Sequence, residues 1–481
     1  MKKLVLILMV FSFLVSCKNE PNKEESSAEE TQKDSLAPVS DDMMESAVIY
    51  EANIRQYSPE GTFDAFTKDI PQLKELGVKV IWLMPMYPIS MKNRKATGEK
   101  DVEDIEDPEE RKKYLGSYYS ISDYSAVNPE HGTMEDFDEL VQTAHENGMY
   151  VILDWVANHT GWDHAWITEH PEYYTKGKDG EITDPINDAT GEPWGWTDVA
   201  DLNFDNQELR EKMTEEMLFW VEEHDIDGFR ADAAHSVPTD FWEAAAKTLN
   251  EAKPLIMLAE AQDPKDLFHN AFEMGYNWEG HHLMNEIAQG QKTVKDWDNY
   301  MKKIDTTFQE DDFLMNFVTN HDENSWAGTV EERMGDASEA MLAMSYTIPG
   351  MPLIYSGQEY DMDKRLLFFE KDTIPKTKGK VYPLLEKLGE LKNSNAALNG
   401  GKNKASYTAV NNSAEEKVLL FKREKDGQTL YFVSNMSGEP VNFTAEMEGD
   451  FSDYMNDADI SISRGQEMKF EPWEYKILIN K

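Results

Sequence analysis

Eight short apolar runs, separated by stretches of helical period, constrain this chain more than any other feature of its sequence. Six read cleanly, at 78–84, 150–153, 226–229, 254–258, 313–318 and 352–355, with a first at 48–54 and a weaker one at 272–278. Each is brief, rich in Val, Ile, Leu, Met or Phe, and apolar on both faces, as a strand must be when helices cover both sides of its sheet. Between them lie amphipathic helices. Thr133, with Asp136 three residues on, opens one whose apolar stripe is Phe137, Leu140, Val141 and Ala144, and Gly148 closes it. Another carries Leu209, Met213, Met217, Trp220 and Val221 on one face. Eight such units predict an α/β fold, a (β/α)8 barrel over 47–399. A doubly wound sheet is the alternative, but it gathers its site at one switch point, whereas here polar residues follow the strand ends all round.

Two connections exceed ordinary loop lengths. One runs over 87–116; the other, 159–203, carries Trp162, Trp166, Trp194 and Trp196. Long loops on a barrel rim shape a cleft. The tryptophans suit either sugar platforms or a loop packing on its own aromatics. Beyond residue 399 the pattern becomes alternating short strands, with turns at Asp426-Gly427 and Ser437-Gly438, which predicts a C-terminal β-sandwich over 400–481.

The N-terminus sets the expected compartment. After Lys2 and Lys3, residues 4–15 are almost wholly apolar. Twelve residues span about 18 Å as a helix, short of a bilayer core of about 30 Å, so the segment reads as a signal peptide within 1–17. Leu14-Val15-Ser16-Cys17 resembles the bacterial lipobox, in which the cysteine is acylated and becomes the mature N-terminus. Cys17 is the only cysteine, so no internal disulfide competes for it. Residues 18–46, rich in Ser, Glu, Lys and Pro, read as a flexible linker. A lipid-anchored protein of the cell envelope, at the outer membrane, is the expectation, touching membrane through that anchor alone. The net charge of −45 repels polyphosphate and argues against a nucleic-acid partner, while a neutral oligosaccharide is compatible with it.

The residues leaving the strands carry the chemistry. The third run ends Asp154-Trp155-Val156-Ala157-Asn158-His159, the fourth Gly228-Phe229-Arg230-Ala231-Asp232, the fifth Leu258-Ala259-Glu260, and the seventh Phe317-Val318-Thr319-Asn320-His321-Asp322. Three carboxylates with an arginine and two histidines at one barrel mouth suit glycosidic cleavage. That reaction needs a carboxylate nucleophile, a carboxylic acid for the leaving oxygen, and negative charge around an oxocarbenium-like transition state.

These four segments resemble the four short motifs of the α-amylase family, glycoside hydrolase family 13, in the right order. Ala200-Asp201-Leu202-Asn203 is similar to its fifth motif, and 116–124 with Asn128-Pro129 and Gly132 to its segment before the second barrel helix. The resemblance implies a retaining hydrolase of α-1,4-linked glucans such as starch or maltodextrin. Asp232 would be the nucleophile, Glu260 the general acid/base, and Asp322 the residue that binds and distorts the ring. Arg230 would hold Asp232 ionised, with Asp154 bracing Arg230. His159 and His321 would donate to hydroxyls of the cleaved sugar, and Tyr119 would stack on it. No cofactor is implied for the chemistry. Asn158 matches a side-chain ligand of calcium, which would be structural. The chain departs from the family at His235 and Ser236, where a Lys-His pair is frequent, and at Ser58-Pro59-Glu60-Gly61, which lacks the acidic calcium loop of related α-glucosidases. An α-glucosidase, a 4-α-glucanotransferase and a non-catalytic glycan-binding lipoprotein are the competing functions.

Overall fold

The computed structural model describes residues 36–481, apart from Glu99, Asp188 and 264–266. All eight runs form strands: β1 Ile49–Ala52, β2 Val80–Leu83, β3 Tyr150–Trp155, β4 Gly228–Ala231, β5 Ile256–Ala259, β6 Met274–Tyr276, β7 Phe313–Asn316 and β8 Met351–Tyr355. They pair in parallel and in chain order, and β8 returns to β1 with Ile49 opposite Leu353, so the barrel closes.

Side chains alternate along each strand. Ile49, Val80, Trp82, Ile152, Ile256, Leu258, Met315 and Leu353 point inward and fill the barrel. Tyr50, Ile81, Leu83, Val151, Leu153, Phe229 and Met257 point outward against the helices. The inward face continues one layer higher as Glu51, Asp154, Arg230 and Glu260, so the register that fills the core also aims these charges at the mouth.

The helices form for local reasons visible in the chain. Thr133 and Asp136 make a reciprocal capping box at the start of the helix Met134–Glu146, whose buried face is Phe137, Leu140, Val141 and Ala144. Leu209, Met213, Met217, Trp220 and Val221 are the buried face of Gln207–Glu223. The last barrel helix, Val381–Ser394, lies against the turn at Gly77 so closely that a Cβ on Gly389 would stand 2.1 Å from the Leu76 carbonyl oxygen.

Two boundaries differ from the sequence reading or refine it. The end of the expected linker is ordered. A short helix, Asp41–Glu45, capped by Ser40, covers the closed end of the barrel, with Met44 and Glu45 buried. Leu36, Val39 and Met43 pack on the barrel interior, and Tyr150 at the start of β3 donates to the Ala37 carbonyl at 2.9 Å. Four apolar side chains in a polar stretch suffice because this end of the barrel offers them apolar surface. After the barrel, six antiparallel strands form one sheet: Ser406–Ala409, Val418–Lys425, Gln428–Asn435, Tyr475–Asn480, Gly449–Asp453 and Ala458–Ile462, in that spatial order. A two-stranded sheet, Val441–Phe443 with Met468–Phe470, closes a core of Val418, Leu420, Val433, Phe443, Phe451 and Phe470. The other face, with Leu419, Phe421, Leu430, Phe432 and Ile477, joins the barrel's outer core. Among the described residues no helix is long and apolar enough to cross a membrane. Cys17 and the signal segment lie outside the described residues.

Candidate active site

Arg230 is the centre of the mouth. It is fully buried on β4, and its Nη1 donates to Asp154 Oδ1 at 2.8 Å and Asp232 Oδ1 at 2.9 Å. Its Nη2 lies 2.9 Å from Glu260 Oε1, an ion contact in which the N–H points off the oxygen, and its Nε donates to the Tyr276 hydroxyl at 3.1 Å. A guanidinium cannot lose its charge, so one cation is shared by three carboxylates. Asp154 also accepts from Trp82 Nε1 at 3.1 Å and has no exposed surface, which makes it the brace expected for Arg230.

Asp232 and Glu260 are steered by their backbones as well. Asp232 donates its N–H to the Trp155 carbonyl at 2.9 Å, continuing the barrel ladder. The next residue, Ala233, takes a left-handed conformation (φ 41°), costly for a residue with a Cβ, and thereby turns its N–H onto Glu260 Oε2 at 2.7 Å. Burial pushes the Asp232 carboxyl up to about 6 against the opposing pull of Arg230. Burial likewise pushes Glu260 up to about 7, with Arg230 and the Ala233 amide opposing it and Asp232 and Asp322 reinforcing it. Arg230 thus favours the charged form of Asp232 as expected, but against a burial effect that is the larger of the two.

The remaining residues from the sequence converge on the same cleft, of about 680 Å³. Tyr119 stacks on His321 with ring centres 5.6 Å apart, and its hydroxyl lies 2.7 Å from His321 Nε2 and 3.3 Å from Asp154 Oδ2. His321 also stands 3.4 Å from Asp322 Oδ2. Asp322 is 37% exposed at the side chain, the most open of the three candidate carboxylates. His159 lines the cleft as a neutral ring, because burial pushes it down to about 4. Asn158 does not face that opening: its amide lies 3.2 Å from His159 Nδ1. A calcium ion wants six to eight oxygens, and among the described residues no three His, Cys, Asp or Glu side chains converge to hold a metal.

The long loop resolves into two parts. Trp166 is buried in the loop's own core and Trp162 donates to the Thr197 carbonyl at 2.9 Å. Trp194 and Trp196 stack on each other, 51% and 42% exposed, and Trp196 lines the cleft. The sequence reading missed the opposite wall, Trp326, Phe368 and Phe369, which comes from the loops after β7 and β8 and carries no local motif. It also missed Glu51. A charged residue inside an otherwise apolar strand is the signal that marks it.

A family profile described as "Alpha amylase, catalytic domain" matches residues 25–416. The chain belongs to the α-amylase family. Its barrel is an α-amylase-type catalytic domain and the protein is an enzyme of the glycoside hydrolase type. The α-amylase MalA of Haloarcula japonica is 23% identical over 407 residues, covering 82% of this chain and 56% of MalA. Alpha-amylase 3 of Dictyoglomus thermophilum is 26% identical, covering 66% and 64%. The α-1,4-glucan:maltose-1-phosphate maltosyltransferase of Salinibacter ruber is 26% identical, covering 73% and 54%. The chain thus spans between about half and two thirds of these curated relatives. Among solved structures, the noncanonic maltogenic α-amylase AmyB of Thermotoga neapolitana superposes with a TM-score of 0.79 at 28% identity, covering 91% of this chain and 99% of AmyB. An α-amylase of Lactobacillus plantarum gives 0.78 at 28% identity, covering 91% and 100%.

Proposed function

We propose that this α-amylase relative hydrolyses α-1,4-glucosidic bonds of starch or maltodextrin by a retaining double displacement. The observation that carries the reading is the single guanidinium of Arg230 touching both Asp232 and Glu260. Sharing one cation gathers the two carboxylates at one site, where a nucleophile and an acid/base can act on the same anomeric carbon. Asp232, which ionises first, attacks; Glu260, which keeps its proton longer, protonates the leaving oxygen and then activates water. Asp322, beside the His321 ring, holds sugar hydroxyls. The exposed Trp196 and the Trp326–Phe368–Phe369 wall suit the faces of further glucose units. The solved relative AmyP in complex with maltotriose supports oligosaccharide as the ligand class.

The test separates the two carboxylates. Asp232→Ala abolishes turnover of every substrate. Glu260→Ala fails on starch but still forms the β-glucosyl intermediate from α-glucosyl fluoride, and azide then displaces Asp232 with a second inversion and releases α-glucosyl azide. Azide rescue of the Asp232 variant to the α azide, with the Glu260 variant yielding the β azide, reverses the roles. A product released first as the β anomer would remove retention.

We also propose that Cys17 is acylated and tethers the enzyme to the cell envelope. The support is the lipobox and the absence of any other cysteine. Cys17→Ala should move the protein to the soluble fraction at unchanged specific activity, and a variant still membrane-bound after a salt wash refutes the tether.

A further inference from the structure

Glu51 lies on the inward face of β1, without exposed surface, two residues above Ile49 in the barrel core. Its Oε1 accepts from His321 Nδ1 at 2.5 Å and faces the His321 backbone N–H at 3.4 Å. Its Oε2 is buried with no hydrogen-bond partner. An acid kept in a barrel core at that cost needs a reason, since a buried carboxylate is unfavourable unless a charge answers it. The answering group is the His321 ring, and the proton count shows in which state. Tyr119 has one hydroxyl proton and two neighbours, Asp154 Oδ2 and His321 Nε2. With the hydroxyl proton on Asp154 Oδ2, Nε2 is the donor towards Tyr119, and Asp322 Oδ2, 3.4 Å from the same nitrogen, can only accept from it. Nδ1 already donates to Glu51. A ring that donates from both nitrogens is an imidazolium.

We propose that Glu51 is a positioning residue of the sugar-binding floor: its carboxylate fixes His321 as a double donor, and His321 in turn fixes the Tyr119 hydroxyl and sets a positive charge beside Asp322. The proposal rests on the hydrolytic reading above for its catalytic consequence, and on geometry alone for the state of His321. The charged groups around the pair are Asp154 on β3, Arg230 on β4 and Asp322, with the phenols of Tyr119, Tyr276 on β6 and Tyr355 on β8 completing the ring. Arg230 opposes a second cation, while Asp322 and Glu51 favour it. The balance pushes His321 up to about 9 although burial works against it. Removing the Glu51 charge removes one of the two supports, so the His321 midpoint must fall.

The experiment is NMR of the His321 ring nitrogens in the resting enzyme, with and without Glu51→Gln, alongside the pH dependence of kcat. In the unaltered enzyme both nitrogens stay protonated from pH 6 to 8. In the Gln variant, which keeps the shape and an acceptor oxygen, the ring loses a proton below pH 7. At pH 7 kcat should fall by about 10- to 100-fold with KM little changed, as expected for misplacement within an intact site. The alkaline limb of its pH profile should move to lower pH, because activity now also follows the His321 proton. In a His321→Gln background the Glu51 substitution should have no further effect on kcat. A His321 midpoint near the ordinary imidazole value in the unaltered enzyme overturns the proposal without any variant having to fold. An unshifted midpoint in the Gln variant, or additive losses in the double variant, overturns it as well. Because the NMR reads the resting enzyme, failure of the hydrolytic reading shows separately, in the azide experiment. A shifted midpoint with unchanged kcat overturns the positioning role.

Discussion

Arg230 concentrates the risk of this site in one side chain. It has no exposed surface, and Asp154, equally buried, has no other cation at hydrogen-bonding distance among the described residues. Arg230→Ala should therefore destabilise the protein by about 3–5 kcal/mol, because it leaves buried charge unanswered. Denaturant unfolding is the check, and a loss of activity at unchanged stability would contradict it. The two reacting carboxyls predict a narrow bell for kcat/KM. Asp232 must be charged, so activity is lost as pH falls through its raised value near 6. Glu260 must hold its proton, so activity is lost as pH rises through its value near 7. Glu260→Gln should abolish the alkaline limb in whatever activity remains on α-glucosyl fluoride. The placement of Asp232, Glu260 and Asp322 at the barrel mouth was legible in the sequence because each stands within a few residues of the end of an apolar run. Glu51 was not, because one acid among Ile49, Tyr50 and Ala52 reads as noise until the barrel closes and brings β7's loop beside β1. Phe368 and Trp326 were not, because their approach to the cleft is set by tertiary folding of connections that have no period.

At the level of elements, the strands were legible because burial on both faces leaves an unbroken apolar signature. Runs and strands differ by one or two residues at their ends: 48–54, 78–84, 272–278 and 313–318 overshoot, whereas 150–153, 226–229 and 254–258 stop short of the C-terminal strand end. The ordered segment at 36–46 was missed for the opposite reason: its apolar residues are few, and only the barrel end gives them a surface. The contact between Gly77 and the helix Val381–Ser394 was invisible to any periodicity, since glycine is read as a turn. Gly389→Ala places a methyl against the Leu76 carbonyl at 2.1 Å and must push the helix off the barrel. The expected cost is about 1–3 kcal/mol, visible as a lower melting temperature, with catalysis at low temperature retained because the helix packs far from the mouth. Equal stability for the variant would show that the helix can shift freely.

At the scale of the molecule, barrel and C-terminal sheet share an outer core through Phe421, Phe432 and Ile477. Arg423, fully buried, ties them further by donating to the Thr347 and Asn399 carbonyls at 2.7 and 2.8 Å. One cooperative unfolding transition is expected. The net charge of −45 loads that unit with self-repulsion. Raising salt from about 10 to 200 mM shortens the screening length from about 30 Å to below 10 Å, and should raise the melting temperature by a few degrees. A calorimetric scan showing no rise would mean that local ion pairs already neutralise the surface.

The packing of Leu36, Val39 and Met43 on the closed end of the barrel decides where force enters this enzyme. Anything fastened ahead of Leu36 pulls on the floor, at the ends of the strands opposite those that carry Asp232 and Glu260. The load passes into Glu45, whose carboxylate accepts from the Gly401 and Asn403 amides, and so into the seam with the C-terminal sheet. The tether proposed above, if attached there, would leave the catalytic rim unobstructed.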